Sequence, residues 1–201
     1  MKLIIISAII TIATLTGCVQ SHIQVPTQPP VIIDDPGKSS VQYVDYWPKK
    51  EMQEASIASL KAYGSALLSF EPKDKSEWCM GSDKLAFYNK LLSAIAKYES
   101  GYDPNNTYKE NFKDNHGNYV ISVGLMQVSS ESCNGYGMKY LVNSELKKNA
   151  NNLECAARIL NKWIPKDGNV SQGSLGAGRY WSVMRVGSTH KRETIRTMVC
   201  K

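Results

Sequence analysis

The sequence predicts a mainly α domain, α+β in class, made of helices with one short β-hairpin. Three observations carry this. Leu85, Tyr88, Leu91, Leu92 and Ile95 recur at spacings of three and four, which puts them on one face of a helix. Leu153, Ala157, Leu160 and Ile164 repeat that pattern further along. Between the two, Asp114-Asn115-His116-Gly117-Asn118 reads as a tight turn joining short strands, with Gly117 supplying positive φ. A hydrophobic content of 42% among 201 residues is enough for one packed core.

From the amino terminus, Met1-Lys2 and the apolar run Leu3 to Leu15 read as a secretory leader, too short to span a membrane comfortably. Leu15-Thr16-Gly17-Cys18 follows and resembles a bacterial lipobox. The resemblance implies cleavage after residue 17 and lipidation of Cys18; an ordinary leader with an incidental cysteine is the alternative. Val19 rather than Asp follows the cysteine. By analogy with lipoproteins, that implies a periplasmic protein anchored to the outer membrane. Residues 18–50 are rich in proline and lack helical periodicity, so they are expected to form a flexible tether holding an inert His22.

Leu60, Tyr63, Leu67 and Phe70 predict one amphipathic helix over 51–70, within a packing element (51–78) that leads to the main domain (79–201). Pro72 to Ser76 is a polar break, and Ser82 or Asp83 can cap the next helix. That helix ends at Gly101 and Pro104. Glu99 lies four residues beyond Ile95, on the apolar stripe and in the last turn. Lost hydration and the negative end of the helix dipole both favour a retained proton, as a general acid needs. The alternative is a glutamate that bends out to solvent.

Val123 to Val128 is apolar except for Gln127, which needs partners: either the amide of an N-acetyl sugar or neighbouring backbone. The helix around Leu160 is expected to close at Pro165 and Gly168. Tyr180 and Trp181 suit either sugar stacking or core packing. A basic helix is expected over 189–199. Oxygen-bearing side chains near Asp114 lack the downstream glutamate of a calcium loop, so no metal site is expected.

Glu99-Ser100-Gly101-Tyr102-Asp103-Pro104, then Gly124-Leu125-Met126-Gln127, then Gly178-Arg179-Tyr180-Trp181 resemble the ordered motifs of soluble lytic transglycosylases with the lysozyme-like fold. The resemblance covers roughly residues 80–200 and implies a lysozyme-like fold with the hairpin beside a sugar-binding cleft. Arg179 and Trp181 stand where that family usually has Ala and Asn, and the gap between the first two motifs is longer than the family's. The resemblance implies Glu99 as the catalytic acid, with Ser100, Ser122, Met126, Gln127 and Tyr180 contacting substrate. It also implies peptidoglycan glycan strands as substrate, cleaved between N-acetylmuramic acid and N-acetylglucosamine to a 1,6-anhydromuramyl end without a cofactor. A hydrolytic lysozyme would need a second acid, for which Asp103 and Asp114 are the nearest candidates. A non-catalytic wall-binding lipoprotein or scaffold is the reading from another class. Ser144-Glu145-Leu146-Lys147 resembles a β-lactamase motif but lacks the companion Lys-Thr-Gly.

A net charge of +6 suits an anionic polymer. No nucleic-acid motif accompanies it, so the carboxylates of peptidoglycan fit better, with the membrane met through the lipid at Cys18. Three scattered histidines argue against a His-dependent hydrolase. With Cys18 lipidated, Cys79, Cys133, Cys155 and Cys200 form an even set suited to an oxidising compartment, and three pairings are possible. Cys133–Cys155 with Cys79–Cys200 is preferred, the latter joining the two ends of the domain.

Overall fold

The computed structural model describes residues 46–139, 141–187 and 191–201. The leader, Cys18 and most of the expected tether lie outside the described residues. The described chain is mostly helical: α1 (Lys50–Tyr63), α2 (Ser65–Ser69), α3 (Lys84–Glu99), α4 (Ser130–Gly135), α5 (Asn149–Asp167) and α6 (Lys191–Cys200). One two-stranded antiparallel sheet, β1 (Thr107–Lys113) with β2 (Tyr119–Val123), stands between α3 and α4 in sequence.

Helix α3 runs through the core. Tyr88, Leu91, Leu92 and Ile95 are fully buried, as the apolar stripe predicts. Asp83 starts the helix by accepting a 2.9 Å hydrogen bond from the Ala86 amide, which satisfies one of its free donors. Helix α1 packs on α3 and α5, α2 packs on α5, and α6 packs on α3.

The helix expected over 51–70 is in fact two. Gly64 breaks it, and the amide of Leu67, in the first turn of α2, donates to Asn161 Oδ1 on α5 at 2.8 Å. A tertiary partner thus replaces the missing intrahelical carbonyl. Pro165 does not close α5, which runs on to Asp167. A proline one turn from the end forfeits little of the ladder, and the helix stops where Gly168 adopts φ 75°.

Packing also begins earlier than composition suggests. Trp47, in the stretch read as tether, is 5% exposed, and its indole N–H donates to Asn89 Oδ1 at 2.9 Å. The polar break after α2 is anchored as well. Asp74 accepts from the amides of Val170 and Ser171, which pins the segment to the chain leaving α5. Residues 51–78 therefore share one core with α3, α5 and α6, and the fully buried Trp78 is part of it.

Both preferred disulfides are present. Cys79–Cys200 ties the chain before α3 to the end of α6, and Cys133–Cys155 ties α4 to α5. At the hairpin tip, Asp114 accepts from the amides of His116 and Asn118, and Gly117 takes φ 82°. Those amides hold the Asp114 carboxyl below its ordinary range.

Candidate active site

A groove of about 560 Å³ opens beside the end of α3. Its lining comes from the last residue of α3, the hairpin, the loop after β2, the start of α4 and the turns around Tyr180. Glu99 stands in it, half-buried at the last position of α3. Ser100 comes next, and its hydroxyl donates to Ala96 O and to Leu125 O at 2.9 Å. The acid's turn is thereby bonded to the loop carrying the second motif. Gly101 (φ 64°) and Tyr102 (φ 67°) then carry the chain away from the helix axis.

The Glu99 carboxyl is pushed up from 4.5 to about 7, first by burial and second by the negative charge of Glu110. Among the described residues no group donates a hydrogen bond to it, so nothing offsets the lost hydration of the ionised form. Glu110, on β1, is differently placed, accepting a 2.6 Å hydrogen bond from Ser122 Oγ on β2. Both carboxylates line the groove. Asp103 and Asp114, the second acids suggested by sequence, do not. Asp103 accepts from the Asn105 amide in its own turn, and Asp114 is held at the hairpin tip.

The second motif is a tightly held loop. Gly124 has φ 76°, and a Cβ there would sit 2.7 Å from Leu146 O and clash with the Asn152 amide. Only glycine fits. Asn152, fully buried on α5, donates to Val123 O and Leu146 O and accepts from the Met126 amide. Met126 is consequently core: its side chain is fully buried and does not line the groove, contrary to the role expected for it. Ser100 is likewise absent from the lining, its hydroxyl being spent on backbone. Gln127 does line the groove. Its Nε2 is taken by Asn106 O and Gly124 O, so backbone supplies the partners of its donor end.

The departures in the third motif have structural explanations. Arg179 is held in a two-bond ion pair with Asp167 and lies over the Trp163 ring, outside the groove lining. Trp181 is 2% exposed, and its indole N–H donates to Met126 O at 2.8 Å. It therefore welds the third motif to the second as core packing, at the edge of the groove that it also lines. Tyr180 between them lines the groove, with its hydroxyl accepting from the Ser129 amide at 3.3 Å.

Sequence reading missed Glu110, Glu131 and Arg185, all of which line the groove. For Glu110 a signal existed. Tyr108, Glu110 and Phe112 alternate along β1, and all three face the groove.

The Transglycosylase SLT domain model matches residues 78–180. This chain belongs to the transglycosylase SLT family. Its three-dimensional relatives agree with the lysozyme-like fold. Two Glu-to-Gln variants of DslA superpose with a TM-score of 0.70 at 30% identity, covering 76% of this chain and 92% of theirs. Wild-type DslA, form 2, gives 0.68 at 31% over the same shares. Comparison with the curated proteins returned no match. The two glutamates replaced in the DslA variants lie eleven residues apart. The SLT match ends at Tyr180, so α6 lies beyond it, tied back to the matched region through Cys79–Cys200.

Proposed function

We propose that this SLT domain cleaves peptidoglycan glycan strands at the β-1,4 bond between N-acetylmuramic acid and N-acetylglucosamine, with Glu99 as general acid. The observation that carries the reading is a groove-facing carboxyl that holds its proton to about pH 7 because it is buried, unbonded and next to a negative charge. Glu99 donates that proton to the bridging oxygen as the bond breaks. The muramyl N-acetyl group stabilises the cationic carbon. Glu99, now ionised, accepts the proton of the muramyl C6 hydroxyl, which closes the 1,6-anhydro ring. Ser122, Gln127 and Tyr180 border the strand.

A second reading, hydrolysis, is favoured by Glu110. A carboxylate across the groove can orient water onto the same carbon. Glu99 and Glu110 lie eleven residues apart, the separation of the two glutamates substituted in DslA. Digestion of purified sacculi, with mass analysis of the product ends, separates the routes. Anhydro ends are lighter by one water than hydrolytic ends. Cleavage that survives Glu99→Gln at the wild-type rate defeats both.

The leader and Cys18 support export and a lipid anchor at the outer membrane, facing the periplasm. Cys18→Ser is expected to move the protein from the membrane fraction to the soluble one.

A further inference from the structure

We propose that Arg185 binds a carboxylate carried by the muramyl residue, and so makes the groove select strands by charge. The proposal rests on the reading that the groove holds a glycan strand.

The chain has five arginines, and their partners differ. Arg158 pairs with Glu154 at 2.8 Å, Arg179 with Asp167 at 2.6 Å, Arg192 with Glu77 at 2.6 Å and Arg196 with Glu193 at 2.9 Å. Arg185 has no carboxylate within ion-pair distance among the described residues. Its Nε donates to Gly178 O at 2.9 Å, in the turn that leads to Tyr180. That bond fixes the base of the guanidinium without neutralising it. The group lines the same groove as Glu99, Glu110 and Glu131, and it is the one cation in that lining among the described residues.

The chemistry that meets such a site is specific. With Glu99 holding its proton, Glu110 and Glu131 remain as carboxylates that repel an anionic ligand, so a strand bearing carboxylates is favoured where a cation offsets them. A planar guanidinium matches a carboxylate through paired N–H donors, which an ammonium does not. Muramic acid differs from glucosamine by its 3-O-lactyl group, whose carboxyl is free on a bare strand and amide-linked to a peptide stem on a dressed one. The stem then brings carboxylates of its own. Both sources offer the same contact, and a set of three ligands distinguishes them.

The test measures binding by calorimetry in the Glu99→Gln background, where strands stay intact and affinity is read whether or not cleavage occurs. The probes are a stem-free tetrasaccharide of alternating N-acetylglucosamine and N-acetylmuramic acid, the same tetrasaccharide with peptide stems, and an N-acetylglucosamine tetramer. Arg185→Gln is expected to weaken one of the two acidic ligands roughly ten- to a hundredfold, the scale of a charge-assisted contact, while the neutral tetramer changes by less than about twofold. Loss on the stem-free ligand identifies the lactyl carboxylate; loss on the dressed ligand alone identifies the stem. Arg185→Lys is expected to restore part of the affinity, with a steeper salt dependence than Arg185→Gln. Equal losses on all three ligands, or none on either acidic one, overturn the assignment. Those results leave the cleavage reading intact, because that reading stands on Glu99 and on product analysis.

Discussion

The two walls of the groove are built on opposite principles. The wall that carries Glu99 is core: α3 is fully buried along Leu91, Leu92 and Ile95, and Asn152 locks the adjoining loop with three hydrogen bonds. The wall that carries Glu110 is an exposed two-stranded ribbon, where Tyr108 is 61% and Phe112 56% accessible. On the packed wall a carboxyl loses its water and finds no donor, so its proton is retained. On the ribbon a carboxyl keeps a Ser122 hydroxyl and contributes a charge that acts on its neighbour. The rigid wall thus sets the chemistry, and the open wall supplies the field and the contact surface.

The largest expected effect falls on the packed wall. Glu99→Gln should lower the rate of muropeptide release from sacculi roughly 10²- to 10⁴-fold, the usual span for a general acid. Next comes Asn152→Ala, which strands two buried carbonyls and one amide. It should cost about 3 kcal/mol in denaturant titration. If stability is unaffected, the loop is not held as described.

The same Glu99→Gln should stabilise the fold at alkaline pH. Because the folded carboxyl sits near 7 and the unfolded one near 4.5, the native state disfavours the ionised form. At pH 8 the wild type carries that penalty in full, so the variant should gain about 2–3 kcal/mol. The gain should fade as pH falls through 7 and vanish below 4.5, which thermal melts at pH 8 and pH 4 would show. A smaller effect comes from the ribbon. Glu110→Gln removes the second cause of the Glu99 rise. The alkaline limb of kcat/KM should therefore move to lower pH, by less than about one pH unit because burial is the larger cause. Smallest of all, Phe112→Ala should change stability by no more than about 0.5 kcal/mol, since the ring is exposed. Its effect should appear in KM.

The position of Glu99 was legible because a helical stripe is a local signal: Ile95 and Glu99 share a face whatever α3 packs against. The disulfide pairing was legible as a preference among three. The role of Gly124 is implied by its motif, but the reason for it, an approach by Leu146 and by Asn152 on α5, comes from residues some twenty to thirty positions away. Glu110 was visible only as one member of an alternating strand. Alternation sorts residues onto two faces without saying which face meets the groove. Met126 was misjudged, and Trp181 left open between two roles, for a related reason. An apolar side chain in a motif suits a groove or a core equally well until its neighbours are placed.

By itself, the sequence determined the mainly helical class, the hairpin, the family motifs and the residue at the tail of α3. All of these come from periodicity, turn chemistry and spacing over a few residues. Tertiary structure alone decided which carboxylate acts on Glu99, that Trp47 belongs to the core, and that α1 and α2 divide at Gly64. Those outcomes depend on desolvation, Coulomb fields and long-range hydrogen bonds, which act through space between residues far apart in the chain.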